Sequence, residues 1–169
     1  MSNTSKLMRY QIGDYLGIPD GETVTFQFMG KGFTKLDESI GAKTDSVTYV
    51  NDRTASSSIV GYESQFPFEA HLIKNEVGTM ALYNVGRNHL TGEDAEFDYV
   101  RVDLFDPVSG SANTFKARKF RVCAEISDNA GEGGAALVVS GNLNAIGDPV
   151  QGTFNTTTKT FTADTVASE

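Results

Sequence analysis

Alternation of hydrophobic and polar residues with a period of two dominates this chain. It is clearest in three stretches, 22–28, 97–105 and 115–126. Successive side chains of a strand point to opposite faces of a sheet, so each stretch predicts a strand with one face toward a core. The inward side chains are expected to be Val24, Phe26 and Phe28, then Val100, Val102 and Leu104, then Phe120, Val122, Ala124 and Ile126. We therefore expect a mainly β fold, an antiparallel β-sandwich or open barrel.

One stretch departs from this period and predicts a helix. Its apolar residues follow the i, i+3, i+4, i+8 spacing of a helix face and are Val77, Met80, Ala81 and Val85. Asn75 is suited to cap the start and Gly86 to end the helix. A single flanking α-helix is therefore predicted over about residues 76–86, with this face packed on the sheet.

A long polar segment, about residues 37–65, separates two of the predicted strands and has little periodicity. Loops of this length inside a compact domain are uncommon and tend to be functional or mobile. Apolar side chains interrupt the segment at Tyr49, Val50, Ile59 and Tyr62. We interpret the segment as an extended arm that becomes ordered by packing on another molecule. The end segments, 1–6 and 163–169, are expected to be loose.

Length and composition indicate one acidic domain. The chain has 169 residues, 39% hydrophobic content and a formal net charge of −8. This charge disfavours wrapping of nucleic acid, which requires clustered Lys and Arg, although an acidic surface would let DNA slide past. The single cysteine, Cys123, leaves no disulfide framework within the chain. The sequence predicts no secretion signal and no membrane association.

Signals for catalysis, metal or cofactor binding are weak, and an enzyme is not expected. His71 and His89 do not form a paired metal-ligand spacing, and Cys123 has no histidine near it in sequence. The glycine-rich stretch 131–134 leads into a predicted strand, whereas a phosphate-binding loop opens a helix. The acidic run 93–98 lacks the pattern of a calcium loop.

Charged residues on the polar sides of two predicted strands are the candidates for contacts between subunits. They are Arg101, Asp103, Lys119, Arg121 and Glu125. Alternation divides the one basic cluster, residues 116–121, between two faces, so readout of nucleic acid is not expected. Such charges are usually solvated, but they can also pair with charges on a neighbouring copy. Together with the four apolar arm residues, they form the predicted assembly interface.

Five segments resemble, in this order, the major tail (tail tube) proteins of long-tailed bacteriophages that infect Gram-positive bacteria. The likeness extends from about Leu7 to Thr162. The segments are Met29–Thr34, Thr48–Asp52, Gly61–Glu69, Ala81–Asn88 with Leu90–Gly92, and Val139–Pro149. Each motif alone is short, and the ordered set carries the resemblance.

This resemblance implies a β-sandwich with one flanking helix and no catalytic site. It implies that six copies close into a ring around an inner β-barrel, and that rings stack into a hollow tube joined by the long loop and the terminal arms. The tube would enclose the tape measure protein, bind the tail terminator and the distal tail or baseplate proteins, and conduct DNA without specific binding. Such a protein is assembled in the bacterial cytoplasm and belongs to the virion.

Two alternatives stay open from the sequence. One is a small-ligand or carbohydrate-binding β-sandwich, although the absence of Trp removes a common sugar-stacking residue. The other is the inner tube of a contractile tail or of a phage-derived bacteriocin.

Overall fold

The computed structural model of the chain describes residues 5–165, which contain eleven strands, one α-helix and two short 3-10 turns. The strands are β1 (Ile12–Asp20), β2 (Thr23–Phe28), β3 (Phe33–Leu36), β4 (Ala42–Val47), β5 (Ser56–Tyr62), β6 (Gln65–His71), β7 (Glu96–Pro107), β8 (Thr114–Ala130), β9 (Val138–Ala145), β10 (Val150–Asn155) and β11 (Thr160–Ala163). The helix α1 is Val77–Arg87, and the 3-10 turns are Arg9–Gln11 and Gly92–Ala95.

Nine strands form one curled antiparallel sheet. Seven follow the order β2-β1-β7-β8-β9-β6-β3, and β10 and β11 branch from β8. The 17-residue strand β8 pairs with β7 along one edge. Its other edge is shared, because β10 pairs with Thr114–Lys119 and β9 pairs with Val122–Ala130. The sheet therefore forks in the middle of β8 and curls into a half-barrel, which confirms the mainly β fold with one helix.

The fork gives the sheet a core on each face. One core contains Phe66, Tyr99 and Phe120, whose rings pack with centroid distances of 4.7 Å and 4.8 Å from Phe66. The other contains Tyr15 and Phe154, whose ring centroids lie 4.4 Å apart. Strand β7 lies between the cores, so its central residues are buried on both faces.

Strand β2 is an edge strand, and this changes its predicted burial. Phe26 is half-buried and packs edge-on against Phe154. Val24 and Phe28 share its face, as the alternation predicts, but Phe28 is 54% exposed and Val24 is also exposed. The expectation that both are buried in the core is wrong, because nothing in the described chain covers the outer part of this face.

The helix lies within one residue of its predicted bounds, but its buried face differs. Its buried residues are Gly78, Thr79, Leu82 and Val85. Of the predicted face, Val85 is buried, Met80 and Ala81 are half-buried, and Val77 is 49% exposed. The expected packing of Val77 is therefore wrong. The helix is rotated relative to the prediction, so that Thr79, Leu82 and Val85 form its buried face.

Both ends of the helix also differ from the prediction. Glu76, not Asn75, occupies the N-cap position, and no side chain caps it. At the other end, the amide of Leu90 donates to Val85 O (3.0 Å) and that of His89 donates to Gly86 O (3.3 Å). This Schellman arrangement has His89 in the left-handed region, with φ of 49°. Gly86 is therefore inside the helix and does not end it.

Gly86 permits close packing, and two matched substitutions test this. A Cβ at Gly86 would lie 2.9 Å from Ile126 Cγ2, whereas a Cβ at Gly78 would meet nothing within 4 Å. We expect G86A to destabilise the domain by about 1–3 kcal/mol through overpacking. We expect G78A to be neutral or to stabilise it by up to about 1 kcal/mol through helix propensity. Urea unfolding measures both, and equal effects of the two substitutions would contradict this account.

Candidate assembly surfaces

Residues 42–62, called the arm below, form a β-hairpin that projects from the main sheet. Strands β4 and β5 pair only with each other. At the base of the arm, Ser39 and Gln65 exchange two backbone hydrogen bonds, at 2.8 Å and 2.9 Å. Strands β3 to β6 are therefore one long, interrupted hairpin whose lower half belongs to the sheet. Within the predicted arm, about residues 37–65, the pairing of 42–47 with 56–62 was not predicted, and the role of the segment in assembly stays a prediction.

The four predicted apolar residues of the arm are all exposed, and Val50 at the tip reaches 102% relative exposure. Tyr49 accompanies Val50 in the tip, while Ile59 and Tyr62 lie on β5. None of the four belongs to a core cluster of the described residues. The arm therefore presents apolar surface that its own domain does not cover.

A bulge in the arm brings two of these residues to one face. Ile59 is opposite Thr44 and Tyr62 is opposite Ala42, so Val60 is an extra residue in the ladder. Residues three apart in a regular strand point to opposite faces, but one bulge reverses this relation. Ile59 and Tyr62 consequently share a face of the hairpin.

A network of charged side chains lies where the arm joins the sheet. Arg118 binds both carboxylate oxygens of Glu38, at 2.7 Å and 3.1 Å, and Arg101 Nε lies 3.9 Å from the same carboxylate. Arg101 Nη1 also lies 3.2 Å from Asp14 Oδ1. Arg9 donates to Asp14 Oδ2 at 2.6 Å from the N-terminal 3-10 turn. We call these five residues the root network.

Burial and charge set the protonation of this network. Burial alone would raise the pKa of Glu38, but the hydrogen bond and charge of Arg118 and the charge of Arg101 hold this pKa below its ordinary value. Burial and the charge of Asp14 raise the pKa of Tyr99 well above its ordinary value. Its hydroxyl therefore stays protonated and donates a hydrogen bond to Asp14.

Two of the charged candidates lie on the network side of the sheet rather than on an outward face. Arg101 is only 7% exposed, Tyr99 beside it is fully buried, and Asp103 is half-buried. The expectation that Arg101 points outward is wrong. Alternation identifies which side chains share a face, but both faces of β7 are covered. Burial raises the pKa of Asp103, with the charge of Arg118 opposing this shift.

The other three charged candidates share the opposite face and already have contacts within the chain. Arg121 pairs with Glu96 at 3.3 Å and with Asp98 at 3.2 Å. Glu125 accepts a hydrogen bond from Asn144 (2.9 Å). Lys119 lies 5.4 Å from the ring centroid of Phe161. The nine predicted interface residues thus fall on three separate surfaces, and their contacts with other subunits stay a prediction.

Sequence reasoning missed the centre of the root network. Asp14 and Glu38 lie far apart in sequence from Arg101 and Arg118, and no motif links them. A weak signal was present, because Asp14 lies among apolar residues in the interior of β1, whereas the other acidic residue, Asp20, is at its end. An acidic residue at such a position is buried only when it is paired.

Three further observations concern metal sites, membrane-spanning helices and surface depressions in the described part of the chain. Among residues 5–165, no three His, Cys, Asp or Glu side chains are grouped as a metal site. No helix in the same range is long and apolar enough to cross a membrane. A surface depression of about 520 Å³ is lined by residues that include Tyr10, Phe28 and Leu36.

Comparison with known proteins rests on structure, since no family model and no curated protein matches this sequence. The chain is similar to a chain in the tail of an empty GTA particle determined in C6 symmetry. The TM-score is 0.56 at 9% identity, with coverage of 86% of this chain and 98% of that one. The protein has the fold of this tail chain. A chain of the anti-feeding prophage baseplate, 6-fold symmetrised, gives a TM-score of 0.48 at 11% identity over 89% and 97% of the two chains.

The Glu38 pKa predicts how stability depends on pH. Because its folded pKa is lowered, its contribution is complete above the unfolded value of 4.5 and is lost as the pH falls through the folded pKa. We expect E38Q to cost about 1–3 kcal/mol near neutral pH, because two guanidinium groups lose their carboxylate. The difference from the parent protein should shrink as the pH falls below 4.5 and through the folded pKa of Glu38.

Urea unfolding of both proteins across this pH range measures the effect. E63Q is the matched control, because the Glu63–Lys43 ion pair lies on the surface and should contribute little. A cost of E38Q that is the same at both ends of the range would contradict the assigned role of the Glu38 charge.

Charge reversal at Arg121 tests whether its contacts within the chain matter. R121E would place a third carboxylate beside Glu96 and Asp98, and Asp98 is directly opposite in the ladder. We expect a loss of about 1–2 kcal/mol at low salt, smaller at high salt because the site is partly exposed. R121Q should cost less. Equal unfolding free energies for the parent, R121Q and R121E would show that these ion pairs contribute nothing.

Proposed function

We propose that this chain is a structural tail protein that assembles into hexameric rings stacked as a hollow tail tube. The observation that carries this proposal is the arm, an ordered hairpin whose apolar side chains have no cover in their own domain. The fold likeness to a tail chain in a C6-symmetric particle supports it. A tube protein requires shape and self-contact rather than catalysis, so we propose no enzymatic activity.

Unpaired strand edges supply a second means of assembly. Strands β2, β3 and β11 each pair with one strand only in the described chain. Unpaired edges favour pairing with another copy, and head-to-tail pairing closes a ring when the rotation between copies divides the circle. A neighbouring copy in the ring would also cover Val24 and Phe28 on β2.

The proposed role requires the arm to reach beyond its own ring. Strand β4 has 6 residues, which span about 20 Å at about 3.3 Å per residue. Tyr49 and Val50 at the tip would then contact a subunit of the next ring. Ile59 and Tyr62, which share one face of the hairpin nearer its base, would be covered by neighbouring subunits.

The finer identity follows from the motif resemblance and is part of the same proposal. We propose the major tail protein of a long-tailed phage of Gram-positive bacteria, located in the virion after assembly in the host cytoplasm. Its partners would be the tape measure protein, the tail terminator and the distal tail or baseplate proteins. A net charge of −8 suits a conduit through which DNA passes without binding.

Removal of the arm tests the proposal directly. Glu63 N donates to Gly41 O at 2.9 Å, so these residues are already neighbours across the hairpin. We replace residues 42–62 by Asn-Gly, a dipeptide that favours two-residue hairpin turns. The expected result is a folded monomer with an unchanged melting temperature that forms no tubes in negative-stain electron microscopy, because rings lose their axial contact.

The matched control replaces Asp52 and Arg53 in the arm tip by Ser, which leaves the apolar residues in place and should preserve tubes. Tubes of normal length from the arm-deleted protein would contradict the proposed role of the arm. A parent protein that stays monomeric on concentration, by light scattering, would contradict the tube itself. Monomers that bind a sugar or other small ligand would favour the binding-module alternative, with the 520 Å³ depression as its site.

A further inference from the structure

The arm joins its domain through a short and interrupted backbone ladder. Between Leu36 and Ala42 no residue belongs to a strand, and the backbone hydrogen bonds across the hairpin are those of Asp37 N to Pro67 O (2.9 Å), of the Ser39–Gln65 pair and of Glu63 N to Gly41 O (2.9 Å). Gly41 has φ of +65°, and a Cβ there would collide with Glu63 O. The chain therefore leaves the strand conformation at the base of the arm. Strands β4 and β5 of the arm have no further strand beside them in the described residues, so the hairpin can pivot where it joins this stretch.

Side chains of the root network lie at this pivot. Glu38 is within the interrupted stretch and is held by Arg118 of β8 in a bidentate contact. Arg101 of β7 approaches the same carboxylate from the neighbouring strand. A planar guanidinium with two hydrogen bonds fixes direction as well as distance. Glu38 thus ties the base of the arm to two central strands of the sheet.

The N-terminal segment contacts the same pivot. Arg9 donates through Nε and Nη2 to Leu36 O, at 3.3 Å and 3.0 Å, two residues before Glu38. Its Nη2 also binds Asp14, which in turn contacts Arg101. One guanidinium therefore links the segment before β1 to the end of β3 and to the root network.

We infer that Glu38 is the residue that positions the arm, and that Arg9 couples the N-terminal segment to the direction of the arm. A pull on the N-terminal segment that withdraws Arg9 frees Leu36 O and leaves Arg101 as the one remaining cation of the root network at Asp14, beside the hydroxyl of Tyr99. Arg101 is then drawn from Glu38, and the arm samples a wider range of directions. The inference rests on the proposed function only for its consequence, because direction matters when the arm must meet the next ring.

Distances between spin labels on the monomer test the inference. In a C123S background, T54C marks the arm tip and S127C marks strand β8. Pulsed electron–electron resonance then gives the distribution of distances between the labels, at a concentration where light scattering shows monomers. We expect E38Q and R9M each to broaden the distribution about twofold, because the hairpin pivots more freely. R9M removes a half-exposed side chain at the periphery, so it remains informative if E38Q fails to fold.

The control is K43M, which removes the exposed Lys43–Glu63 ion pair (2.8 Å) in the arm itself. It should leave the distribution unchanged, since exposed pairs contribute little. R118M should broaden the distribution as E38Q does, and the double variant E38Q/R118M should broaden it no further, because both substitutions remove one contact. A distribution in E38Q and R9M that superimposes on the parent would overturn the inference.

The same variants separate this inference from the proposed function. If the parent forms tubes but its arm distances do not respond to E38Q or R9M, the positioning role fails and the tube proposal stands. If the distances respond but the parent never polymerises, the positioning role stands and the tube proposal fails. If the positioning role and the tube proposal both hold, the protein concentration at which tubes form should be about tenfold higher for E38Q than for the parent. The reason is that the arm of E38Q is less preorganised for the contact with the next ring.

Discussion

The length of β8 is the constraint on which the rest of this structure depends. A 17-residue strand offers more edge than one partner uses, so β9 and β10 share it and the sheet divides. Division and twist together curl the sheet, with a core on each face. Strand β7 is consequently enclosed on both faces. A polar side chain in its centre is therefore costly unless it has a partner within the fold.

The root network supplies these partners for Arg101. A buried guanidinium is costly unless carboxylates and hydrogen bonds compensate it, and Asp14, Tyr99 and Glu38 do so here. Buried ion pairs contribute little net stability compared with apolar packing, and in some proteins they instead select one geometry among alternatives. The ion pairs of the root network lie at the base of the arm, where selecting one geometry matters more than adding stability. The arm has almost no core of its own to determine its direction.

The sequence predicts those features whose signal is local. Spacing of 3.6 residues located the helix to within one residue, but it could not select the buried face, because the close approach at Gly86 depends on Ile126 of a distant strand. Alternation in β7 and β8 correctly grouped side chains by face. It could not reveal that both faces of β7 are covered, so Arg101 was expected at the surface. The pairing of β4 with β5 was not predicted for a related reason, since a hairpin exposed on both faces has no hydrophobic alternation.

The apolar surface that folding leaves exposed on the arm favours a role in contacts between copies. Folding buries two aromatic cores and leaves the arm as a two-stranded hairpin, which is marginally stable by itself. Exposed Val50, Tyr49, Ile59 and Tyr62 would raise the risk of aggregation in a protein that functions as a monomer. They become favourable if each is covered by an identical copy at a different surface, because such head-to-tail contacts extend without limit along one axis. A defined arm direction is then as important as its apolar residues, since a contact that repeats along a tube must recur with the same geometry at every subunit.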